Sequence, residues 1–277
     1  MDGLTNDWIE VTDYSSDLTK QVLDFVVRHN MVPVMGAELE FYVEYHDPML
    51  FLQLLAQECQ MAGIGLMKID GEEGESQFEA IFHHTANIAG LAGDIEKFKQ
   101  LSKKLAKQHQ VNVLFDAKPY PDQEGSGLHI HVNLSDDKGN NLLLKQQGQE
   151  TALMHYMIGG LLGSIADDMD VFAPCDKSKQ RYQFSADKKD KKNVTTPYTV
   201  SWGGNNRSVA IRIPESTMQE HTRRIEHRVP CANANAYDVV RVIIKAIDYG
   251  INEQIVPQTP RVWGNAFDEH YQPQWLV

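Results

Sequence analysis

The chain is poor in cysteine. Three residues, Cys59, Cys175 and Cys231, are spread over 277 positions with no C-x-x-C pair. This excludes a disulfide scaffold and a structural zinc ribbon, and it suits a reducing compartment. Long apolar runs are also missing. The most apolar stretch, Met157 to Ala166, is short and broken by Gly159, Gly160 and Gly163, so nothing reads as a membrane span. The N-terminus, MDGLTNDWIEVTDYSSD, carries acids where a secretory leader needs a basic start and an apolar run; the expected location is the cytoplasm. Basic charge is scarce: 26 Lys and Arg stand against 38 Asp and Glu, a formal net charge of -12. Nucleic acid and membrane surfaces need a basic face, so neither is an expected partner, although a local basic pocket stays compatible. No G-x-G-x-x-G and no Walker loop occurs, which argues against a doubly wound nucleotide fold.

What is present reads as a folded globule: 42% hydrophobic and 23% charged residues are wrong for a disordered chain. The spacing predicts helices over 18–30 (capped by Asp17), 49–62, 85–109, 150–169 and Asn235–Glu253. Strands are expected over Val32–Tyr45, 76–82, Val111–Asp116, Leu128–Leu134, 198–202, 207–213 and 223–229. Residues 176–197 read as a polar, lysine-rich loop in which the Lys188–Lys192 run is solvated, and 136–140 as a turn. Several strands are separated by turns rather than by crossover helices. The expected fold is therefore α+β: a curved, largely antiparallel sheet with helices on one face. The whole of 1–277 reads as one domain, with residues 1–30 peripheral and 255–277 a Pro-rich tail.

The other face of that sheet carries the chemistry. Side chains two apart on a strand share a face. Glu38 and Glu40 therefore point together, as do His129 and His131, and as do Arg224, Glu226 and Arg228; Arg212 lies opposite Ile211 and Ile213. A solvated strand face is ordinarily filled with Lys, Thr and Ser, and Lys is absent from these four strand cores. Converging carboxylates and imidazole suit divalent cations, and arginines suit phosphate or carboxylate. Together they point to Mg or Mn bridging nucleotide phosphates. His83 and His84 are adjacent, so their side chains diverge and they read as structural or near the nucleotide; Arg224 reads as a structural ion-pair partner.

Five segments, in order, resemble the catalytic domain of the glutamine synthetase family: G-A-E-L-E-F, E-E-G-E-S-Q-F-E, G-S-G-L-H-I-H, N-N-R-S-V-A-I-R-I-P and R-R-I-E-H-R-V-P. The resemblance runs from about residue 33 to 250. It implies ATP and two or more Mg or Mn ions as cofactors. Glu40, Glu79 and Glu72 would hold one ion; Glu38, His129 and Glu226 would hold another. Glu73 and Glu75 crowd the loop of Glu72, which is preferred because its spacing to Glu79 fits the family's E-x-x-x-G-Q-x-E, with Ser76 in place of Gly. His131 would lie beside the nucleotide. Arg207 and Arg212 would neutralise the phosphates and the transferred group, with Arg228 doing similar work. Arg181 would hold the acid substrate's α-carboxylate, and Gly125, next to Glu124, would sit in the loop contacting the same substrate.

Two departures shape the expected activity. Family members carry a small β-rich domain before the catalytic domain, and only about thirty residues precede the first matched strand here. The segment between Arg181 and Pro197 also lacks the family's P-G-x-E-A-P, whose glutamate accepts the ammonium proton; this chain has no Glu there. The resemblance thus implies a ligase that activates a carboxylate, glutamate's γ-carboxylate, as an acyl phosphate and joins it to an amine other than ammonia. Two rivals are a phosphotransferase of the same fold acting on a guanidine or carboxylate, and a non-catalytic nucleotide-binding partner of a full-length relative. A stable phosphorylated product without an amine marks the first. Co-purification with a longer homologue, without turnover alone, marks the second. A homo-oligomer through exposed sheet edges is compatible with either.

Overall fold

A computed structural model describes residues 7–184, 194–215 and 222–277. In chain order the elements are α1 (Asp7–His29), β1 (Val32–Glu44), α2 (Pro48–Met61), β2 (Leu66–Gly71), β3 (Gln77–Thr85), α3 (Ile88–His109), β4 (Asn112–Leu114) and β5 (Leu128–Ser135). They continue with α4 (Ala152–Ser164), α5 (Met169–Phe172), α6 (Asp176–Lys179), β6 (Trp202–Gly203), β7 (Ile211–Arg212), β8 (Ile225–His227) and α7 (Ala236–Asn252). The strands form one sheet in the order β2-β3-β1-β5-β8-β7-β6, with β4 added to the end of β1. Every pairing is antiparallel except β6 with β7.

Alternation decides the layering. Leu39 and Phe41 of β1, Phe78, Ala80 and Phe82 of β3, and Leu128, Ile130 and Val132 of β5 are buried. They meet α3, where Phe98 sits edge-on to Phe41 and Phe82 at ring distances of 5.6 and 5.7 Å. Burying side chains of this size contributes about 1.5–3 kcal/mol each, which makes this face the main source of cohesion. α7 is apolar along one side, and Asn235 caps it by accepting from the amides of Tyr237 and Asp238. The expected α+β sheet with helices against one face is what forms.

Several boundaries differ from expectation, each for a local reason. The first helix begins at Asp7, so Asp17 lies inside it and caps nothing. The segment read as peripheral buries Leu18 and Phe25, and Arg28 and His29 both pair with Asp248 of α7. β2 escapes a periodicity search because it is an edge strand with most of its residues exposed. The helix expected over 150–169 stops at Ser164 and resumes as α5. The expected loop opens with α6 and a 3-10 turn over Gln180–Tyr182. The last three strands are two or three residues long rather than five to seven. The Pro-rich tail folds back on them: Val262 donates to Trp202, and Leu276 to Tyr198. The Lys188–Lys192 run lies outside the described residues. Among the described residues no helix is long and apolar enough to cross a membrane.

Candidate active site

Sheet register, not chain proximity, assembles the polar face. Directly opposed residues on adjacent strands stand about 4.5–5.5 Å apart, close enough for side chains to interact. Here Glu79 opposes Glu40, Glu38 opposes His129, His131 opposes Glu226, and Glu226 opposes Arg212. A row of charge therefore crosses β3, β1, β5, β8 and β7.

His129 is the centre of that row. It is 2% exposed, and both ring nitrogens lack a hydrogen-bond partner among the described residues. Nδ1 lies 3.7 Å from Glu38 Oε2 and 3.7 Å from Glu226 Oε1; Nε2 lies 3.8 Å from Glu40 Oε1. These distances are too long for hydrogen bonds. They fit two ligands of a shared ion, since donors each about 2.0–2.5 Å from one cation stand about 3–4 Å apart. Two groups of ligand atoms converge within 4.8 Å: Glu38, His129 and Glu226, and Glu40, Glu79 and His129. The orphaned, buried ring nitrogens facing three carboxylates are the observation that makes a divalent ion fit here.

The titration behaviour follows from crowding. Burial, reinforced by Glu38, Glu40, Glu72 and Glu226, pushes Glu79 up to about 9. Burial pushes Glu40 to about 7 despite Arg181. Burial also opposes the charge on Glu226, but Arg228, His131, His129 and Arg212 more than reverse it and hold that carboxyl well below its ordinary value. Glu38 is likewise held low, its burial outweighed by His129 and His131. Burial, with Arg228 nearby, depresses His129 to about 4, so its imidazole is neutral and able to act as a ligand at neutral pH.

The arginines border the same carboxylates. Arg212 donates Nη1 to Glu226 Oε2 at 2.6 Å, and Arg228 donates to Glu226 Oε1. Arg207, Arg228 and Arg181 line a small cleft with Glu40, Glu72, Glu73, Glu124, Gly125 and Thr195. Arg181 is 4% exposed and donates to the backbone carbonyls of Arg228, Val229 and Pro230, which leaves its Nε without a partner among the described residues. A Cβ at Gly127 would stand 2.5 Å from Arg181 Nη2 and 2.7 Å from His129 Nε2, so a larger residue there would displace both side chains.

Most residues singled out in the sequence come together, with exceptions. Glu72 lines the cleft but joins neither group of converging ligand atoms; it accepts from the Glu73 amide instead. Arg224, read as an ion-pair partner, donates Nε to His131 Nδ1 at 2.9 Å. His131 Nε2 lies 3.0 Å from Glu38 Oε1. His83 and His84 are exposed and belong to neither group. The sequence reading gave no role to Gln77, a buried lining residue of the cleft that is the Gln of the quoted motif, and missed buried Tyr42, because neither stands out in an alternating strand. It also missed the exclusion of side chains at Gly127, which only the contacts reveal.

A sequence profile described as "Glutamine synthetase, catalytic domain" matches residues 44–274. Gamma-glutamylputrescine synthetase PuuA of Escherichia coli (strain K12) is 32% identical over 226 residues, covering 80% of this chain and 46% of that protein. Glutamate--methylamine ligase of Methyloversatilis universalis is 27% identical over 213 residues, 76% of this chain and 46% of that protein. A glutamine synthetase of Pyrococcus horikoshii is 34% identical over 187 residues, 67% of this chain and 39% of that protein. The chain thus spans under half the length of these curated relatives. The solved structure titled "GmaS/ADP complex-Conformation 1" superposes with a TM-score of 0.78 at 22% identity, covering 95% of this chain and 65% of that one.

Proposed function

The chain belongs to the glutamine synthetase catalytic-domain family, and from that premise we propose that it is an ATP- and Mg-dependent carboxylate–amine ligase. The acid substrate is glutamate, activated at its γ-carboxylate as an acyl phosphate, and the acceptor is an amine other than ammonia. The observation that carries this reading is the cross-strand row of Glu79, Glu40, Glu38, His129, Glu226 and Arg212. Two relatives bearing γ-glutamyl-amine and glutamate–amine ligase names support the choice of reaction.

Glu38, His129 and Glu226 would hold one divalent ion, and Glu40 with Glu79 another, with His129 between them. Such ions supply positive charge that screens the nucleotide phosphates from the attacking carboxylate. Glu72, at the edge of the cleft, completes the second site only if its side chain turns inward. Arg207, Arg212 and Arg228 would hold the nucleotide phosphates and supply positive charge for the transferred group. Arg212 keeps Nε unpaired and buried among the described residues, a donor suited to an anionic ligand. His131 would lie beside the nucleotide. Arg181, held by three carbonyls, presents its cation to the acid substrate near Gly125. Glu73 and Glu124 add carboxylates at the cleft, where a protonated amine is attracted and its proton accepted.

The test is ADP release by the chain with Mg2+, ATP and glutamate across a panel of amines, followed by phosphorus NMR. Amine-dependent ADP and phosphate release is expected. Absence of stimulation by every acid–amine pair refutes the ligase, and a stable phosphorylated product without amine favours the phosphotransferase.

A further inference from the structure

Two loops wall the cleft. One, residues 72–76, carries Glu72 and Glu73; the other, residues 124–127, carries Glu124 and Gly125. A single buried amide ties them. Gln77 is 3% exposed. Its Oε1 accepts from the Gly74 amide at 3.0 Å, while its Nε2 donates to the Gly125 carbonyl at 3.1 Å and to Ser126 Oγ at 3.3 Å. Its backbone closes the first loop as well: Gln77 N donates to Gly74 O at 3.0 Å, and Glu72 N to Gln77 O at 2.9 Å.

Tyr42 lies opposite Gln77 in the β1–β3 register and adds a second tie, from its hydroxyl to the Glu124 carbonyl at 2.7 Å. The three groups pack without slack. A Cβ at Gly74 would stand 2.2 Å from Tyr42 Oη and 2.7 Å from Gln77 Oε1.

We propose that Gln77 is a positioning residue that sets the gap between the Glu72–Glu73 loop and the Glu124–Gly125 loop, and thereby the size of amine the cleft admits. The proposal rests on the ligase reading for its substrate and on the hydrogen bonds alone for its mechanics. A primary amide offers one acceptor and two donors at fixed spacing, and all three are engaged across the gap. A carboxylate of the same shape keeps the link to Gly74 and loses the donors to the other loop. A thioether keeps the volume and loses both links. Because the contacts are buried, a lost donor leaves the Gly125 carbonyl without compensation, and the loop shifts to satisfy it. The two walls of the cleft would then no longer be held at a fixed separation, and discrimination between acceptors depends on that separation.

The experiment uses the full chain, Gln77→Glu and Gln77→Met. Amide hydrogen exchange is read first, without substrates. Exchange in 72–76 and 124–127 should accelerate together, about tenfold or more in Gln77→Met, while β5 is unchanged; in Gln77→Glu the effect should concentrate in 124–127. Turnover with glutamate is then compared for ammonium, methylamine and ethanolamine. Gln77→Met should raise the KM for glutamate about tenfold and shrink the preference among amines about fivefold, with kcat for the best amine kept within about twofold. A fall in kcat with KM and amine preference unchanged overturns the proposal, and so does unchanged exchange in either loop or faster exchange throughout β5. Absence of turnover in the unmodified chain would refute the ligase reading, and the exchange measurement would still decide the role of Gln77.

Discussion

Replacing Glu79 by glutamine should make the metal-free protein more stable and the metal-loaded protein less responsive. Glu79 sits among carboxylates on the polar face, and burial with four neighbouring glutamates pushes it up to about 9. In the unfolded chain it titrates near 4.5. A group whose folded value is raised costs nothing below its unfolded value and costs progressively more as pH climbs to the folded value. At pH 7 the native protein retains a proton that the unfolded chain releases. The separation between pH 7 and 4.5 is two and a half pH units at about 1.4 kcal/mol each, so the cost is at most about 3.5 kcal/mol, less with partial solvation. Glutamine carries no such cost. Thermal unfolding in EDTA should therefore show Glu79→Gln above the unmodified chain by several degrees, about 2–4 °C per kcal/mol. The gap should widen between pH 5 and pH 8. Added Mn2+ should raise the unmodified chain strongly and the variant weakly, since the variant lacks one candidate ligand. A variant less stable than the unmodified chain at pH 8 in EDTA, or one with an undiminished Mn2+ response, refutes the reasoning.

Other consequences follow from single contacts. Gly127→Ala places a methyl against Arg181 Nη2 and His129 Nε2, so Mn2+ affinity should fall by about tenfold or more while the secondary structure is kept; calorimetry with unchanged affinity would contradict it. His227 is fully buried beside Phe172, and burial with His129 nearby depresses it to about 3. Its neutral form therefore contributes stability above pH 6.5 that is lost as pH falls toward 3, about 2 kcal/mol by pH 5. His227→Leu should flatten that acid limb, as urea midpoints at pH 5 and pH 7 would show; an equal acid loss in the variant would contradict it.

The polar face was legible because strands print their faces at period two. Glu38 with Glu40, and His129 with His131, fall on one side whatever the rest of the chain does. Which strands lie side by side was not legible from that rule. Alternation put Glu226 on the face of Arg224 and Arg228, but it and Glu79 reach the centre through register, and only the family resemblance anticipated Glu79. Spacing pointed to Glu72, but a loop side chain takes its direction from local hydrogen bonds, and here the Glu73 amide claims it. The short strands carrying Arg212 and Glu226 were overread, because alternation continues where pairing has ended. Gln77 stood inside the quoted family motif without a role, because a polar residue on a strand reads as exposed until a second loop is seen to cover it.

Glu226 ties the cation side to the anion side. Its Oε1 faces His129 Nδ1 at 3.7 Å and also receives Arg228, while its Oε2 receives Arg212 at 2.6 Å. Any cation held between Glu226 and His129 must share that carboxylate with two guanidinium groups. Sharing weakens the hold on Arg212 and Arg228, and each then gains by finding another anion. Mn2+ and inorganic phosphate should consequently bind with positive coupling. Each should tighten the other by about five- to tenfold, a size usual for linked sites, and by the same factor in both directions. Calorimetric titration of phosphate with and without saturating Mn2+, and of Mn2+ with and without phosphate, measures both arms. Arg212→Gln should reduce the coupling while leaving Mn2+ binding in the absence of phosphate intact or stronger, because a competitor for Glu226 has been removed. Independent binding of the two ions would mean that Glu226 serves the arginines alone, and the cation would then have to rest on Glu38, Glu40, Glu79 and His129.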